Sequence, residues 1–512
     1  MQQLRGRADG ISLRRVFPHG RFLGTDDGDI QVNRCQSDYR LVRPGDLFVA
    51  VVNADWDGHN HVEQAIERGA TAVVAERLLP VSVPCCVVAD TREANGIICQ
   101  HLAGFPHRDL ELIGITGTFG KTVTTMLMAS VLRAADRQTG VTCSMGGSDG
   151  QVTGELSGQS PQPPELAHWL SRMVITGCTS GVIEASSEGL ASRHFAGMEF
   201  DAAILTNLRR DHLEFHGNVR NYRRAKQRLF ERLKPGGFAI VNVDDSASRL
   251  LMEQIDAPLI TVGMRETAQL RAQLLERCPS EQTFLLMAGQ ESAPVRVRGV
   301  GNQFIHSCLS AAAVGLVMGL DLTTIVRGLE QAQQVPGRLE RIECGQDFNV
   351  FVDQAQSPAT LAASLHALKQ VTQGRLICVY GATASQNGET RATVGRLAER
   401  YADLGIITTN NPGHEPPLQI AHDILDGFEH PGQAHIIPNR GKAIEWALEQ
   451  ANPGDTVIVA GKGDLAYQIV GEREIPFDDR RIVRSWLRGA RPELQQTKSS
   501  SLLPFRAPCH WN

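Results

Sequence analysis

At 512 residues the chain exceeds what one hydrophobic core organises, and its length fits roughly three domains. Apolar content of 42% against 21% charged side chains, with a formal net charge of -5, is that of a soluble globular protein and offers no basic footprint for nucleic acid or an anionic membrane surface. No apolar run reaches bilayer length, and Met1-Gln-Gln-Leu-Arg-Gly-Arg-Ala-Asp9 lacks the apolar stretch of a secretory signal.

Residues 1–108 carry short strand-like runs and one helix. Pro44-Gly-Asp-Leu-Phe-Val-Ala-Val-Val52 reads as a turn leading into a buried strand. His61 to Gly69 reads as a helix stopped by glycine, and Ala72-Val-Val-Ala75 as the next strand. That alternation predicts a small α/β unit. Cys85 and Cys86 share a strand-like run and therefore point to opposite faces. The chain has eleven cysteines, an odd number without C-x-x-C pairs. They read as buried free thiols of a reducing cytoplasm rather than as disulfides or a zinc site.

A second region, 109–335, opens on Gly114-Ile-Thr-Gly117-Thr-Phe-Gly120-Lys121-Thr122. An apolar run precedes it from Leu110, and a helical pattern follows from Val123 to Arg133. Strand, glycine-rich turn and helix start make a phosphate cradle, in which backbone N–H groups and the positive helix end face an anion. Lys121 is placed to reach the terminal phosphates and the Thr122 hydroxyl to bind Mg²⁺. Ile115 stands where the general pattern asks for glycine, so the loop is a compact G-x-x-G-K-T. A chance glycine-rich turn would not be framed by strand and helix, so the chain is read as binding a nucleoside triphosphate. Downstream, Thr179 to Ser187 reads as a strand ending near Glu184, and Ala202 to Asn207 as another, followed by Asp211-His212. Asn221 to Phe230 is helical, and Ala239 to Asp245 closes a further strand. Ligands of open α/β sheets gather at the C-terminal ends of strands. Singly, either Glu184 or His212 is compatible with a solvated loop residue, and for His212 alone that is the better reading. At three coincident strand ends, Thr122, Glu184 and His212 point to one Mg²⁺–nucleotide site.

The third region, 336–490, alternates again. Strands are predicted at Phe348–Val352, Leu376–Tyr380, Leu404–Thr408 and Thr456–Ala460, with helices at Ala359–Val371, Thr393–Tyr401 and Lys442–Ala451. This predicts a second doubly wound sheet. Residues 491–512 read as a loose, disordered tail.

From about Asp38 to Leu487 the chain resembles the Mur ligases, in particular those adding the third amino acid to UDP-N-acetylmuramoyl-dipeptide. The resemblance is carried by Arg43-Pro-Gly-Asp-Leu-Phe-Val-Ala50, Gly117-Thr-Phe-Gly-Lys-Thr122, Ile183-Glu-Ala-Ser-Ser187 and Thr206-Asn-Leu-Arg-Arg-Asp-His-Leu-Glu-Phe-His-Gly217. It continues through Asn221-Tyr-Arg-Arg-Ala-Lys226, Pro336-Gly-Arg-Leu-Glu340 and Phe477-Asp-Asp-Arg480. It implies an α/β chain of three domains: a UDP-sugar-binding unit at 1–108, a central ATPase sheet at 109–335, and a Rossmann-like unit at 336–490 that closes over the site. The implied reaction uses ATP to turn a substrate carboxylate into an acyl phosphate, which the amine of an amino acid then attacks, in peptidoglycan precursor synthesis. Implied catalytic residues are Lys121, Lys226 and His212. ATP contacts fall on Gly117, Thr118, Gly120, Lys121, Thr122, Arg338 and Asp353. Mg²⁺ falls to Thr122, Glu184, His212 and Lys226, the last as a carbamate; from the residues alone Lys226 reads as a solvated helix lysine. Substrate contacts fall on Ser160, Ser186, Arg193, Asn411 and Lys462. The oligomeric state is open, and a monomer is compatible with the sequence.

The departures cluster by ligand. Where the family has Asp-Ser-Arg at the uridine, this chain has Asp38-Tyr39-Arg40, and Thr-Thr-Pro at the sugar-peptide reads Gln159-Ser160-Pro161. The Gln and Arg that follow Glu-x-Ser-Ser align with Ser192 and His194, which leaves Arg193 one place out of register. The adenine-side asparagine motif is replaced around Phe304 and Ser307, and Asp-Tyr-Ala-His-Thr-Pro has become Asp353-Gln-Ala-Gln-Ser-Pro358. A Gly-Gly-Asp-x-Asp loop reads Gly381-Ala-Thr-Ala-Ser385. In diaminopimelate-adding members Asp-Asn-Pro-Arg and Gly-Lys-Gly-His-Glu grip the amino acid; here they read Asn410-Asn-Pro-Gly413 and Gly461-Lys-Gly-Asp-Leu465. Loss of that arginine fork and that glutamate argues against diaminopimelate. Two other readings stand beside the ligase: a non-catalytic nucleotide-binding scaffold, and an amide ligase on a carrier outside the cell wall. Joint retention of Lys121, Thr122, Glu184, His212 and Lys226 argues against the first, and the Pro44-Gly-Asp-Leu-Phe-Val-Ala50 unit against the second.

Overall fold

The computed structural model describes residues 10–24, 29–53, 56–156 and 160–489. Met1–Asp9, Gln159 and the tail expected at 491–512 lie outside them. Among the described residues three larger sheets follow one another along the chain. The first has five strands, ordered Arg21–Leu23, Cys85–Val87, Ala72–Ala75, Leu47–Val49, Cys35–Gln36. All run parallel except the edge strand Arg21–Leu23. The helix expected over His61–Gly69 is Val62–Glu67. Gly69 ends it at φ +101, and a Cβ there would lie 2.7 Å from the Pro44 Cα. Cys85 packs with Val73 on one face and Cys86 with Val74 on the other.

The second sheet has eleven strands. Thr139–Cys143, Ser180–Glu184, Glu111–Thr116, Phe200–Leu205 and Leu233–Asn242 lie side by side and parallel. The side-chain period of two divides the strand Glu111–Thr116 between two cores. Ile113 and Ile115 pack with Leu127 and Val131 of the helix Lys121–Ala134. Leu112 belongs to the opposite core, with Leu229 and Phe230 of the helix Val219–Phe230. Gly114 sits inside this strand, where a Cβ would meet Leu229 at 2.7 Å, so it serves packing rather than the phosphate loop. The N-terminal unit leans on this sheet through the helix Thr91–Leu102, whose Gly96 passes so close to Ala196 that a Cβ would lie 2.7 Å from the alanine's own.

The third sheet has six strands, ordered Glu340–Ile342, Asn349–Asp353, Thr456–Ala460, Leu376–Tyr380, Leu404–Ile407, His435–Ile436. All but the edge strand Glu340–Ile342 are parallel. The predicted bounds Leu376–Tyr380 and Thr456–Ala460 are those observed. The C-terminal ends of the central strands and of Asn349–Asp353 and Leu376–Tyr380 open onto one shared cleft. No helix among the described residues is long and apolar enough to cross a membrane.

Candidate active site

The cleft encloses about 410 Å³, within the range of small-ligand sites. Its central wall carries Thr118, Gly120, Lys121, Thr122, Ser144, Glu184, Ser186, Glu188, Asp211 and His212. Its C-terminal wall carries Arg338, Asp353, Gln354, Gln356, Ser357, Thr383 and Gln386.

The phosphate loop is locked from below. Gly117 has φ +153 and approaches Thr206 so closely that a Cβ would sit 1.9 Å from its Oγ1, so only glycine fits. The Thr118 N–H donates to the Asn207 carbonyl and the Phe119 N–H to Asn207 Oδ1, both at 3.1 Å. Thr118 Oγ1 lies 2.8 Å from the Tyr222 hydroxyl. Gly120, at φ +81, precedes the helix Lys121–Ala134 without any side-chain cap, leaving the positive helix end open to an anion. Lys121 Nζ donates to the Gly117 and Thr118 carbonyls, each at 3.2 Å.

Lys226 also donates to the Gly117 carbonyl, at 2.7 Å, and is almost fully buried. Burial, reinforced by the nearby Lys121 charge, pushes its ammonium well below the usual lysine range. The helix face of Tyr222, Ala225, Lys226 and Leu229 is turned into the protein, so the solvated-lysine reading does not hold. Lys226 itself is absent from the cleft lining and stands one carbonyl behind the loop.

Thr122 Oγ1 donates to Glu184 Oε2 at 2.9 Å, and the Ser144 N–H donates to the same oxygen at 3.1 Å. Glu184 is thus a buried carboxylate held by neutral donors, and Thr122, Ser144 and Glu184 are hard oxygen ligands of the kind Mg²⁺ takes. Among the described residues no group of three or more His, Cys, Asp or Glu is gathered for a metal. Mg²⁺ held by one carboxylate, a hydroxyl and nucleotide phosphates requires none, so the set fits. His212 lies elsewhere on the wall, in the left-handed region at φ 50, with Nδ1 2.7 Å from Glu188 Oε1. Burial alone would raise the Glu188 carboxyl, but the His212 hydrogen bond and charge hold it far below its ordinary range. Burial likewise opposes the His212 cation, and Glu188 outweighs it, raising that imidazole.

Arg338 and Asp353 face the loop from across the cleft. Arg338 donates to Asp464 Oδ1 at 2.6 Å and to Ser144 Oγ at 3.1 Å. Asp353 accepts from the Leu339 and Gln354 N–H groups and from the Ser364 hydroxyl; burial nevertheless raises its carboxyl. Ser357 Oγ donates to Asp211 Oδ2 at 3.1 Å, bridging the two walls.

The expected substrate contacts are more dispersed. Ser186 lines the cleft and caps the helix Ser187–Ala191 through the Gly189 N–H. Ser160 Oγ is buried without a hydrogen-bond partner, close to Gly189. Arg193, at φ 63, turns towards Asp90 and Glu93 of the N-terminal unit, 3.7 and 3.9 Å away. Asn411 Oδ1 accepts from the buried Lys462 ammonium and the Ile469 N–H, both at 3.1 Å. Neither Asn411 nor Lys462 lines the cleft directly; Gln356 of the cleft donates to the carbonyl of Gly461, the residue before Lys462, at 2.7 Å. Asp464, beside Lys462 in sequence, is taken up by Arg338. Ser144 and Glu188 escaped the sequence reading. Ser144 follows the strand Thr139–Cys143 directly, a strand-end position that would have revealed it, whereas Glu188 carries no signal apart from its place in a helix's first turn.

The chain matches the Mur ligase middle domain over residues 115–315 and the Mur ligase glutamate ligase domain over residues 337–463. It is 36% identical over 465 residues to the UDP-N-acetylmuramoyl-L-alanyl-D-glutamate--2,6-diaminopimelate ligase of Geobacillus thermodenitrificans, covering 90% of this chain and 95% of the relative. A solved structure of a UDP-N-acetylmuramoyl-L-alanyl-D-glutamate--2,6-diaminopimelate ligase superposes with a TM-score of 0.64 at 27% identity, over 94% of this chain and 99% of that one. The MurF ligase from Thermotoga maritima in complex with ADP shares the fold, with a TM-score of 0.61 at 20% identity over 90% of this chain and 98% of that one. Phosphate loop, facing sheets and near full-length likeness agree: the chain belongs to the Mur ligase family.

Proposed function

We propose that the protein is an ATP-dependent, ADP-forming amide ligase that adds an amino acid to a UDP-N-acetylmuramoyl-peptide in the cytoplasm, a step of peptidoglycan precursor synthesis. The observation that carries this reading is the convergence of Lys121 and Lys226 on the Gly117 carbonyl, beside the Thr122–Glu184 pair. In the reaction a peptide carboxylate oxygen attacks the γ-phosphorus, ADP leaves, and the acyl phosphate forms; the amine then attacks the carbonyl carbon and phosphate departs. Lys121 exchanges loop carbonyls for phosphate oxygens, and the open helix end at Gly120 holds the nucleotide's charge in place. Burial lowers the Lys226 ammonium and so favours the amine form, which takes up CO₂ as a carbamate with release of a proton, giving an anion behind the loop. Mg²⁺ on Thr122 and Glu184 would neutralise phosphate charge. Residues 1–108 take the UDP end: Tyr39, His61 and Trp56 stack there, with ring centroids 4.6 and 4.1 Å apart on either side of His61, whereas Asp38 and Arg40 pair with each other. Ser160, Ser186 and Arg193 belong to the sugar-peptide path.

We further propose that the acceptor is an amino acid other than meso-diaminopimelate. Gly413 and Leu465 supply no charge, Asp464 is paired to Arg338, and Thr383, Ser385, Gln356 and Gln386 line that end of the cleft with neutral groups. The nearby cation Lys462 is held by Asn411 Oδ1 and could take a carboxylate only in another geometry. A distal charge buried without a partner costs several kcal/mol, and a missing charge-assisted contact discriminates more strongly than a missing methylene. Phosphate release with UDP-N-acetylmuramoyl-dipeptide and diaminopimelate, lysine, ornithine, alanine or glutamate tests both proposals. Release with one of the latter four, abolished in Lys121→Ala, is expected. Preference for diaminopimelate would overturn the acceptor proposal alone. ATP binding without release from any pair would favour the scaffold, and release on a folate or polyglutamate carrier a different ligase.

A further inference from the structure

We infer that Glu188 is a positioning residue that fixes the orientation and tautomer of His212, an inference that rests on the ligase reading above. The strand Ser180–Glu184 ends at the Mg²⁺-type carboxylate, and one turn later the helix Ser187–Ala191 carries Glu188 onto the same wall of the cleft. The helix is fixed at its start by the Ser186 cap to the Gly189 N–H, at 2.9 Å, so the carboxylate is delivered from a short, anchored element. His212 arrives from the loop after Phe200–Leu205 in the left-handed backbone region, at φ 50, one that few non-glycine residues adopt and histidine more readily than most. Its backbone N–H is held by Asp211 Oδ1 at 3.1 Å, and its ring by Glu188 Oε1 at 2.7 Å from Nδ1.

That contact places the proton. A carboxylate accepts but does not donate, so the Nδ1 facing it carries hydrogen, and the neutral ring keeps its lone pair on Nε2. An imidazole whose Nδ1–H is spoken for by a carboxylate is the arrangement in which Nε2 serves as a metal or phosphate-side ligand, and removing such a partner usually costs ten- to a hundred-fold in metal affinity. Asp211 Oδ2, 3.8 Å from Nε2, is engaged by Ser357 across the cleft and does not compete for the Nδ1 position. Glu188 therefore acts through His212 rather than on the substrate.

The test uses the full chain with ¹⁵N-labelled histidine. Two-bond ¹H–¹⁵N spectra of the metal-free protein at pH 8.5 report the His212 tautomer, assigned by its loss in His212→Gln. Mn²⁺ titration in the presence of ADP reports metal affinity without turnover. Wild type should show the Nδ1–H form. Glu188→Ala should shift it towards Nε2–H and weaken Mn²⁺ binding ten-fold or more, with the metal-free melting temperature little changed. Glu188→Gln, which still offers an oxygen, should keep the Nδ1–H form and lose a few-fold in affinity, and it decides the matter if the alanine variant does not fold. An unchanged tautomer or an unchanged Mn²⁺ affinity in Glu188→Ala, or both measures unchanged in Glu188→Gln, would overturn the role. Failure of wild type to bind Mn²⁺–ADP at all would instead remove the ligase reading beneath it.

Discussion

Two buried lysines make opposite use of the same physics. For Lys226 the depressed ammonium prepares a nucleophilic amine, and Lys226→Ala is expected to lose activity by 100-fold or more, with part restored by formate, acetate or chloride filling the vacated anion site. Full activity of the variant would refute a carbamate at this position. For Lys462, burial, with the Arg440 charge adding to it, lowers the ammonium from 10.5 to about 8, and its Nζ has the Asn411 amide oxygen as partner. The sign of the pH effect follows. Between pH 8 and 10.5 the unfolded chain holds a proton that the folded chain has released, so stability rises with pH across that window. Below pH 8 both states are charged and the cost of burying the ammonium is present in full. Denaturant melts of wild type should therefore gain on Lys462→Met as pH is raised from 8 to 10, and parallel curves would mean that Lys462 titrates normally.

The loops that carry Thr383, Ala384 and Glu415 are tied by one arginine of the helix Gly388–Tyr401. Arg391 is buried, pairs with Glu415 and Asp423 at 2.7 Å each, and donates to the Thr383 and Ala384 carbonyls at 3.1 and 3.2 Å. The Ala384 N–H in turn donates to the Asn411 carbonyl. Arg391→Ala is expected to raise the KM for the amino acid at least ten-fold while leaving the KM for ATP within two-fold, and to cost about 2 kcal/mol of stability; equal effects on both KM values would show that the loops do not act locally. No motif announces Arg391, because its partners are 24 and 32 residues away and two of its acceptors are peptide carbonyls. The strands of the parallel sheets were legible for the converse reason. Ala72–Ala75, Leu376–Tyr380 and Thr456–Ala460 are continuous apolar runs bounded by turns, as burial on both faces demands. The antiparallel extension of the central sheet, Leu270–Arg277, Gln282–Ala288 and Glu291–Val297, was missed because its outer face is solvated and charges interrupt the apolar pattern. At the site, Lys121, Thr122 and Glu184 were legible as motif plus strand end, whereas the inward turn of Lys226 depended on the helix face and the resemblance.

Across the whole molecule the cleft is assembled from two walls, bridged by Arg338, which touches Ser144 on one side and Asp464 on the other, and by the Ser357–Asp211 hydrogen bond. A bound nucleotide that engages both walls should make them melt as one. With Mg²⁺ and a non-hydrolysable ATP analogue at a hundred-fold its Kd, stabilisation of about 2.7 kcal/mol is expected, seen in calorimetry as an upward shift of a merged transition. Arg338→Ala should leave the central sheet's transition responsive and reduce the shift of the C-terminal one, and adding Ser357→Ala should remove that shift. A C-terminal transition that shifts in full in Arg338→Ala, or still shifts when both side chains are removed, would show that the nucleotide couples the walls without these bridges.

The left-handed turn at Gly413 limits what residue 413 can become. Its φ is +54, its N–H and carbonyl are stitched to Ile469 and Gly471 of the following hairpin, and a Cβ there would already press on Ala384 at 3.2 Å. An arginine placed at 413 in this geometry meets both a torsional penalty and a crowded neighbour. Ala384, the hairpin and residue 413 would have to change in concert to hold an arginine side chain there, so grafting the arginine alone is a poor route to re-engineering selectivity.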